Sequence, residues 1–373
     1  MTETVTERVL EAGAGGAPMG RAVKLPRVAG FASRPERDDP RRAGKALRER
    51  VPRGAHAGLV IDPDRPDPVT AVEESNQGRL PALTPIRVGR MAAGPFAFLR
   101  GAAGLMAYDL ARTPVTGVGA HLCGDAHAGN FGLYGDARGG LVIDLNDFDE
   151  TAYGPWEWDL KRLATSLVLA GREAGTDEAG CRDAARDAAG AYRRTMRLLA
   201  RMPVADAWNA VADEELVSHA DAKDLLGTLG RVSEKARRNT SARFAARSTE
   251  ATSDGGRRFV GAAPVLTEIS DDEAAQVAAA LGPYLGTLPE DRLPLLARYA
   301  VQDVAFRVVG TGSVGTRSYV VLLLDHRGEP LVLQVKEARP SVLGPHLGVR
   351  GSRCPRPATR GGGWYLGRSG CRW

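Results

Sequence analysis

The stretch "FRVVGTGSVGTRSYVVLLLDHRGEPLVLQVKEA", Phe306 to Ala338, does most to restrict the folds open to this chain. Two runs rich in valine and leucine flank the turn "DHRGEP", and such residues suit a pleated, packed surface. The pattern predicts a hairpin behind a glycine loop. Much of what precedes it reads as helix. "GPWEWDLKRLATSLVLAG" predicts a buried helix, and "TDEAGCRDAARDAAGAYRRTMRLLARM" an amphipathic one with Thr176 as N-cap. Further helices are expected through 210–247. "SDDE" at 270–273 has capping-box spacing, and "EDRLPLLARYAVQDV" prolongs the helical region. A helix-rich middle followed by a late hairpin defines an α+β chain. Its 373 residues exceed what one core usually covers, so two lobes with a cleft between them are expected.

A second β region lies earlier. After a helix across about 95–111 come "GVGAHLC", "NFGLY" and "LVIDL", the last two joined by the loop "GDARGG". The polar decapeptide "HLCGDAHAGN" thus lies between a strand and a hairpin. Four segments follow from composition. Residues 1–50 carry no sustained period and are expected to be a disordered arm; 51–303 form a helix-rich lobe, 304–345 a partial β lobe, and 346–373 an aberrant or disordered tail. The tail holds six arginines and no acid, which accounts for the formal charge of +5, and the body is close to neutral. A nucleic-acid partner is therefore not expected. No apolar run approaches the roughly 20 residues of a membrane span, and "MTETVTERVL" is no secretory signal. The four cysteines lack zinc or disulfide spacing, so a cytoplasmic protein with reduced thiols is expected.

Chemistry concentrates in "LVIDLNDFDE", which places Asp144, Asp147, Asp149 and Glu150 at a strand end. Two carboxylates about 4 Å apart repel by about 4 kcal/mol at an effective dielectric near 20, so a converging cluster calls for a cation. Oxygen donors select magnesium or manganese. The hairpin brings Asp125 and Asn130 to the same region. An Asp, an Asn five residues later and a further Asp on the next hairpin is an arrangement used in phosphoryl transfer. Gly310, Gly312 and Gly315 spell G-x-G-x-x-G, but a strand follows where a dinucleotide fold needs a helix. Strand, glycine loop, strand, turn and a strand ending in Lys336 is the kinase version, in which backbone amides cover the phosphates and the lysine pairs with them. Gly310, Gly312, Ser313, Gly315 and Lys336 are thus the candidate ATP-binding residues. This lobe follows the catalytic loop, which implies a circular permutation. A 310–337 hairpin far from Asp125 and Asp144 would refute it.

"CGDAHAGNFGLYGDARGGLVIDLNDFDETAYGPWEWDLKRLA" resembles the catalytic segment of aminoglycoside- and choline-kinase-like phosphotransferases, with their G-D-x-H-x-x-N loop, V-I-D strand end and later D-L helix. The resemblance implies that Asp125 is the catalytic aspartate and that Asn130 and Asp144 are metal ligands, with Asp147 as an extra one. It further implies that Asp159 buttresses the loop and that His127 orients it. Cys123 stands where a histidine is usual. "HLCGDAHAGNFGLY", "NDFDET", "GPWEWDLKRLA" and "GSVGTR" together resemble a bacterial family known as domain of unknown function family 2252, over about 50–345. Its members continue with ordered sequence past the hairpin, so the tail suggests truncation or a frame shift. The resulting expectation is a protein-kinase-like, two-lobed phosphotransferase that uses ATP and magnesium on a small-molecule hydroxyl. Two rivals stand beside it: a nucleotide binder or inactive fragment without turnover, and a metallophosphoesterase. The last needs an Asn-His pair that none of the six histidines supplies.

Overall fold

The computed structural model describes residues 40–135, 140–210, 234, 238, 240–253, 255–347 and 364–367. The chain divides into two units, Met1–Arg50 and Val51–Trp373. In the first, Pro40–Arg50 forms helix α1, ending in Arg48 and Arg50 where a helix C-terminus favours cations. The end of the expected disordered arm is therefore helical, and residues 1–39 lie outside the described residues.

The second unit opens with short helices: α2 (Pro68–Asn76), α3 (Thr84–Met91), α4 (Pro95–Gly101) and α5 (Ala103–Leu110). The single helix expected over about 95–111 is broken at Ala102, whose φ of −115° and ψ of 37° leave the helical region. The break has a cause. Buried Arg87 takes the Gly101 carbonyl at 2.8 Å, and buried Arg162 takes that of Leu99 at 2.8 Å, so side chains intrude on the ladder. Next come β1 (Gly119–Leu122), β2 (Phe131–Gly135), β3 (Leu141–Leu145) and β4 (Ala152–Pro155). The β2 and β3 strands form the expected hairpin, with Gly132 opposite Asp144, while β1 pairs antiparallel with β4.

Helix α6 (Glu157–Glu173) then packs on α7 (Glu178–Leu199), which is capped by Asp177 rather than by Thr176. Short α8 (Val204–Asn209) follows, and α9 (Ser241–Ser248) is capped by Thr240. Most of the helical stretch expected over 210–247 lies outside the described residues. Beyond it lie β5 (Thr249–Ala251), β6 (Arg257–Phe259), β7 (Leu266–Thr267), α10 (Asp271–Ala279), α11 (Leu281–Leu285) and α12 (Leu293–Leu296). Ser270 caps α10 by accepting from the Glu273 N–H, as the capping-box spacing predicts.

The sheet begins earlier than the sequence suggests. Ala300–Arg307 is strand β8, where helix is expected. Its Val304 and Ala305 are buried in different clusters, and Asp303 sits at a bulge and accepts from the Phe259 N–H at 2.6 Å. Strands β9 (Ser318–Leu324) and β10 (Pro330–Glu337) form the predicted hairpin, and β11 (Trp364–Gly367), within the expected aberrant tail, pairs with β10. The sheet order is β11-β10-β9-β8-β7. Every residue of β9 is buried. Val320, Leu322 and Leu324 face a core closed by Phe244 and Ala245 of α9, whereas Tyr319, Val321 and Leu323 face one closed by Val277 of α10 and Leu296 of α12. The strand period of two divides its side chains between these cores. A third cluster, including Leu110, Leu122, Trp158 and Leu343, lies among α5, β1 and α6.

Candidate active site

Between β1 and β2 the loop 123–130 hangs on three polar residues of α6. Asp159 accepts from the N–H groups of Cys123 and Gly124, at 2.7 and 3.0 Å. Arg162 donates to Asp125 at 2.5 Å, and the Ser166 hydroxyl accepts from the Ala128 N–H at 2.9 Å. The spacing of three and four residues puts all three on one helix face. Asn130 closes the loop, its side-chain amide donating to the Asp125 carbonyl at 2.7 Å. Gly124 is a steric requirement: its φ is +82°, and a β-carbon there would run into the Glu150 carbonyl.

The loop after β3 lies alongside. The Asn146 N–H donates to the Asn130 carbonyl at 3.0 Å, and the Cys123 thiol contacts the Asp147 carbonyl. Glu150 accepts from the Val342 N–H at 2.7 Å. Across this loop, the Lys336 ammonium lies 3.1 Å from both oxygens of Asp147. The β9–β10 hairpin therefore meets the acidic loop.

Burial shapes the charges. It raises the Asp125 carboxyl to about 7 against the pull of Arg162, with Asp149 and Asp147 adding repulsion. Burial likewise raises Asp149 to about 6, helped by Asp147, and Glu150 to about 7, helped by Asp149. His127, 3.7 Å from Asp125, is held neutral because burial and the charges of Arg162 and Arg100 push it down to about 3. The Cys123 thiol is pushed up to about 12, chiefly by burial, and is no nucleophile.

A stability signature follows. Carboxyls raised in the fold contribute stability that is full below their unfolded values and is lost as pH rises through the folded ones. The window for Glu150 therefore runs from 4.5 to about 7. His127 acts oppositely, losing stability as pH falls below 6.5. Comparing variants isolates Glu150: Glu150→Gln can still accept from the Val342 N–H. In urea unfolding it should be more stable than the parent by about 1–3 kcal/mol at pH 8 and by little at pH 4.5.

The glycine loop is a packed turn. Arg79 donates to the Val314 carbonyl at 2.7 Å, Arg90 to that of Gly310, and the Leu80 N–H to that of Gly315 at 2.7 Å. Thr311, Val314 and Gly315 are buried, while Gly310 is exposed and Gly312 and Ser313 are half-buried. A β-carbon on Gly312 would come within 2.9 Å of the Arg100 carbonyl. The structure thus anchors this loop on the segment that precedes β1.

Asp144, expected as a metal ligand, lies on β3 opposite Gly132. It is exposed on β3 and accepts from its neighbour's N–H, Leu145, at 2.8 Å. Asp147 and Asp149 are the carboxylates that press on Asp125. Among the described residues no three His, Cys, Asp or Glu side chains converge as a metal cage. Sequence reasoning missed Arg162, Arg79 and Arg90. For Arg162 a signal existed, since it falls three residues after Asp159 and four before Ser166 on one predicted helix.

In class, this is a mixed α+β protein in which an antiparallel sheet delivers a lysine to the acid-rich loop after β3. The chain belongs to the family described as an uncharacterized protein conserved in bacteria (DUF2252), whose model matches residues 79–361. No curated protein and no solved structure matches it.

Proposed function

We propose that the protein is a phosphotransferase of protein-kinase-like, circularly permuted, two-lobed build, transferring the γ-phosphoryl group of ATP to a small-molecule hydroxyl. The observation that carries this reading is the Lys336–Asp147 contact. It joins the lysine strand of a strand–glycine loop–hairpin unit to the loop beside Asp125 and Asn130. The donor chemistry fits magnesium. Asn130 and Asp147 offer neutral and anionic oxygens beside carboxyls that repel one another, and magnesium is usually held by one or two protein carboxylates plus substrate phosphates rather than by a full protein cage. In this reading Asp147, which Lys336 contacts, joins Asn130 and Asp144 as a ligand of the ion. When bound, the ion neutralises charge on the phosphates.

The chain's own residues do the rest. Asp125 orients the acceptor hydroxyl and takes its proton as the oxygen bonds to phosphorus and ADP leaves. A carboxyl near 7 suits this task. Arg162 fixes the position of Asp125, neutral His127 packs beside it, and Lys336 turns from Asp147 to the phosphates. Gly310, Gly312, Ser313 and Gly315 cover them from a loop held by Arg79 and Arg90. Among the described residues no helix is long and apolar enough to cross a membrane. ATP as donor and the buried free thiols Cys123 and Cys181 suit a cytoplasmic setting.

Thermal unfolding with ATP, with magnesium and with both tests the site. The pair together should raise the midpoint, because a ligand at 100 times its Kd adds about 2.7 kcal/mol. Asp125→Asn should keep that shift and lower kcat about 10²–10⁴-fold, whereas Lys336→Met should lose the shift. No shift in the parent protein, or full activity in Asp125→Asn, would overturn the reading. One observation favours a nucleotide binder without turnover, namely the grip of Arg162 on Asp125. A magnesium-dependent shift with no phosphoryl transfer to any hydroxyl acceptor would select it.

A further inference from the structure

A cavity of about 850 Å3 opens among α3, α4, α5 and α6, roofed by the segment 56–59. This volume is within the usual range for small-molecule pockets. Its wall is largely apolar, with Met91, Phe98, Leu105, Leu110 and Leu169 among its lining side chains. Leu59, also in the lining, and the adjoining Val60 and Ile61 are all exposed, and together they carry the apolar surface outward.

The polar groups in the wall are few and unequal. Arg65 and Asp109 cancel each other in a two-bonded pair at 2.6 and 2.9 Å. Among the described residues Lys161 donates to a neutral oxygen, Thr113 Oγ1, at 2.8 Å. Burial lowers its pKa, and the Glu157 charge one turn earlier on α6 opposes that. Glu157 accepts at Oε1 from the Thr116 N–H and hydroxyl, at 2.8 and 2.6 Å, while its buried Oε2 meets no partner among the described residues. His56 adds a ring whose Nδ1 meets no partner among the described residues. Among the described residues no carboxylate hydrogen-bonds to Lys161, and an ammonium so placed in an apolar wall favours an anion, while the wall around it favours hydrocarbon.

We infer that this cavity binds an amphipathic monocarboxylate, with its aliphatic chain against Met91, Leu105 and Leu169 and its carboxylate on Lys161. The site stands independently of the phosphotransferase reading, because none of its named residues belongs to the loops around Asp125. Titration calorimetry of the full chain with decanoate, decanol and decylamine, each below its micelle concentration, tests it. Decanoate should bind about 10-fold tighter than decanol, and decylamine should not bind. Lys161→Met should reduce decanoate to the affinity of decanol and leave decanol unchanged, while Lys161→Arg keeps the preference. Ala164→Phe, which fills the cavity from α6, should abolish binding of both. Unfolding midpoints without ligand establish that each variant is folded, and the Lys161→Arg arm remains decisive if Lys161→Met is not. Equal binding of the three amphiphiles, an unchanged preference in a folded Lys161→Met, or undiminished binding in Ala164→Phe would overturn the inference.

Discussion

Replacing Arg162 with methionine is expected to destabilise the protein by about 3–5 kcal/mol at pH 8, the cost of leaving a buried charge without its partner. Arg162 is itself buried, and its guanidinium is shared between Asp125, the Leu99 carbonyl and the Met106 sulfur. Methionine matches much of its length but supplies none of its donors. The penalty is limited by proton uptake. Without the guanidinium the Asp125 carboxyl rises above its present value of about 7, so below that pH it protonates and the loss becomes smaller. Adding Asp125→Asn should recover a large part of the stability at pH 8, because the uncompensated charge is then gone. Urea unfolding of the four members of the cycle at pH 6 and 8 measures this coupling. A loss below about 1 kcal/mol that is equal at both pH values would mean that the pair is solvated and that Arg162 does not set the state of Asp125.

The second large effect is expected at Gly124. Alanine there incurs about 1–2 kcal/mol for a left-handed backbone and about 1–3 kcal/mol more for the forced contact with the Glu150 carbonyl. The total is about 2–5 kcal/mol. Gly117 supplies the control: its φ is +90°, but a β-carbon there meets nothing within 4 Å, so Gly117→Ala should bear only the backbone cost. The Gly124 change should also disturb the site, because the N–H groups of Cys123 and Gly124 are what Asp159 holds. Unfolding midpoints of the two alanine variants should therefore differ by several degrees, with Gly124→Ala the lower. Equal midpoints would show that the loop relaxes around the added methyl group.

What could be read in the sequence is what local pattern controls. The hairpin from Ser318 to Glu337 alternates between two cores, and both runs of that alternation are visible in the residues themselves. The placement of Asp125 between a strand and a hairpin, and of Asp159 on the next helix, follows from turn residues and helical spacing. The start of β8 was not legible. "LLARYAVQDV" fits a helical period, and tertiary pairing with β9, with Asp303 at a bulge, decides for strand. Nor was the break at Ala102, since it depends on arginines at positions 87 and 162 reaching back to carbonyls of α4. Arginine on a helix reads as solvated unless its partner is known, and here the partners lie 14 and 63 residues away. The strand end at Asp144 is evident, but which carboxylate turns toward Asp125 depends on the loop after it.

The Lys336–Asp147 contact spans 189 residues, with the acid made first. At about 5–20 residues per second, a ribosome exposes the acidic loop roughly 10–40 s before the lysine strand. Throughout that interval Asp147 and Asp149 lack the ammonium that offsets their charge, and the partners of Glu150 at Ser341 and Val342 are also still to come. A nascent chain therefore carries an unfinished site until its C-terminal hairpin emerges, so phosphoryl transfer of the proposed kind would be confined to chains whose synthesis has passed β10.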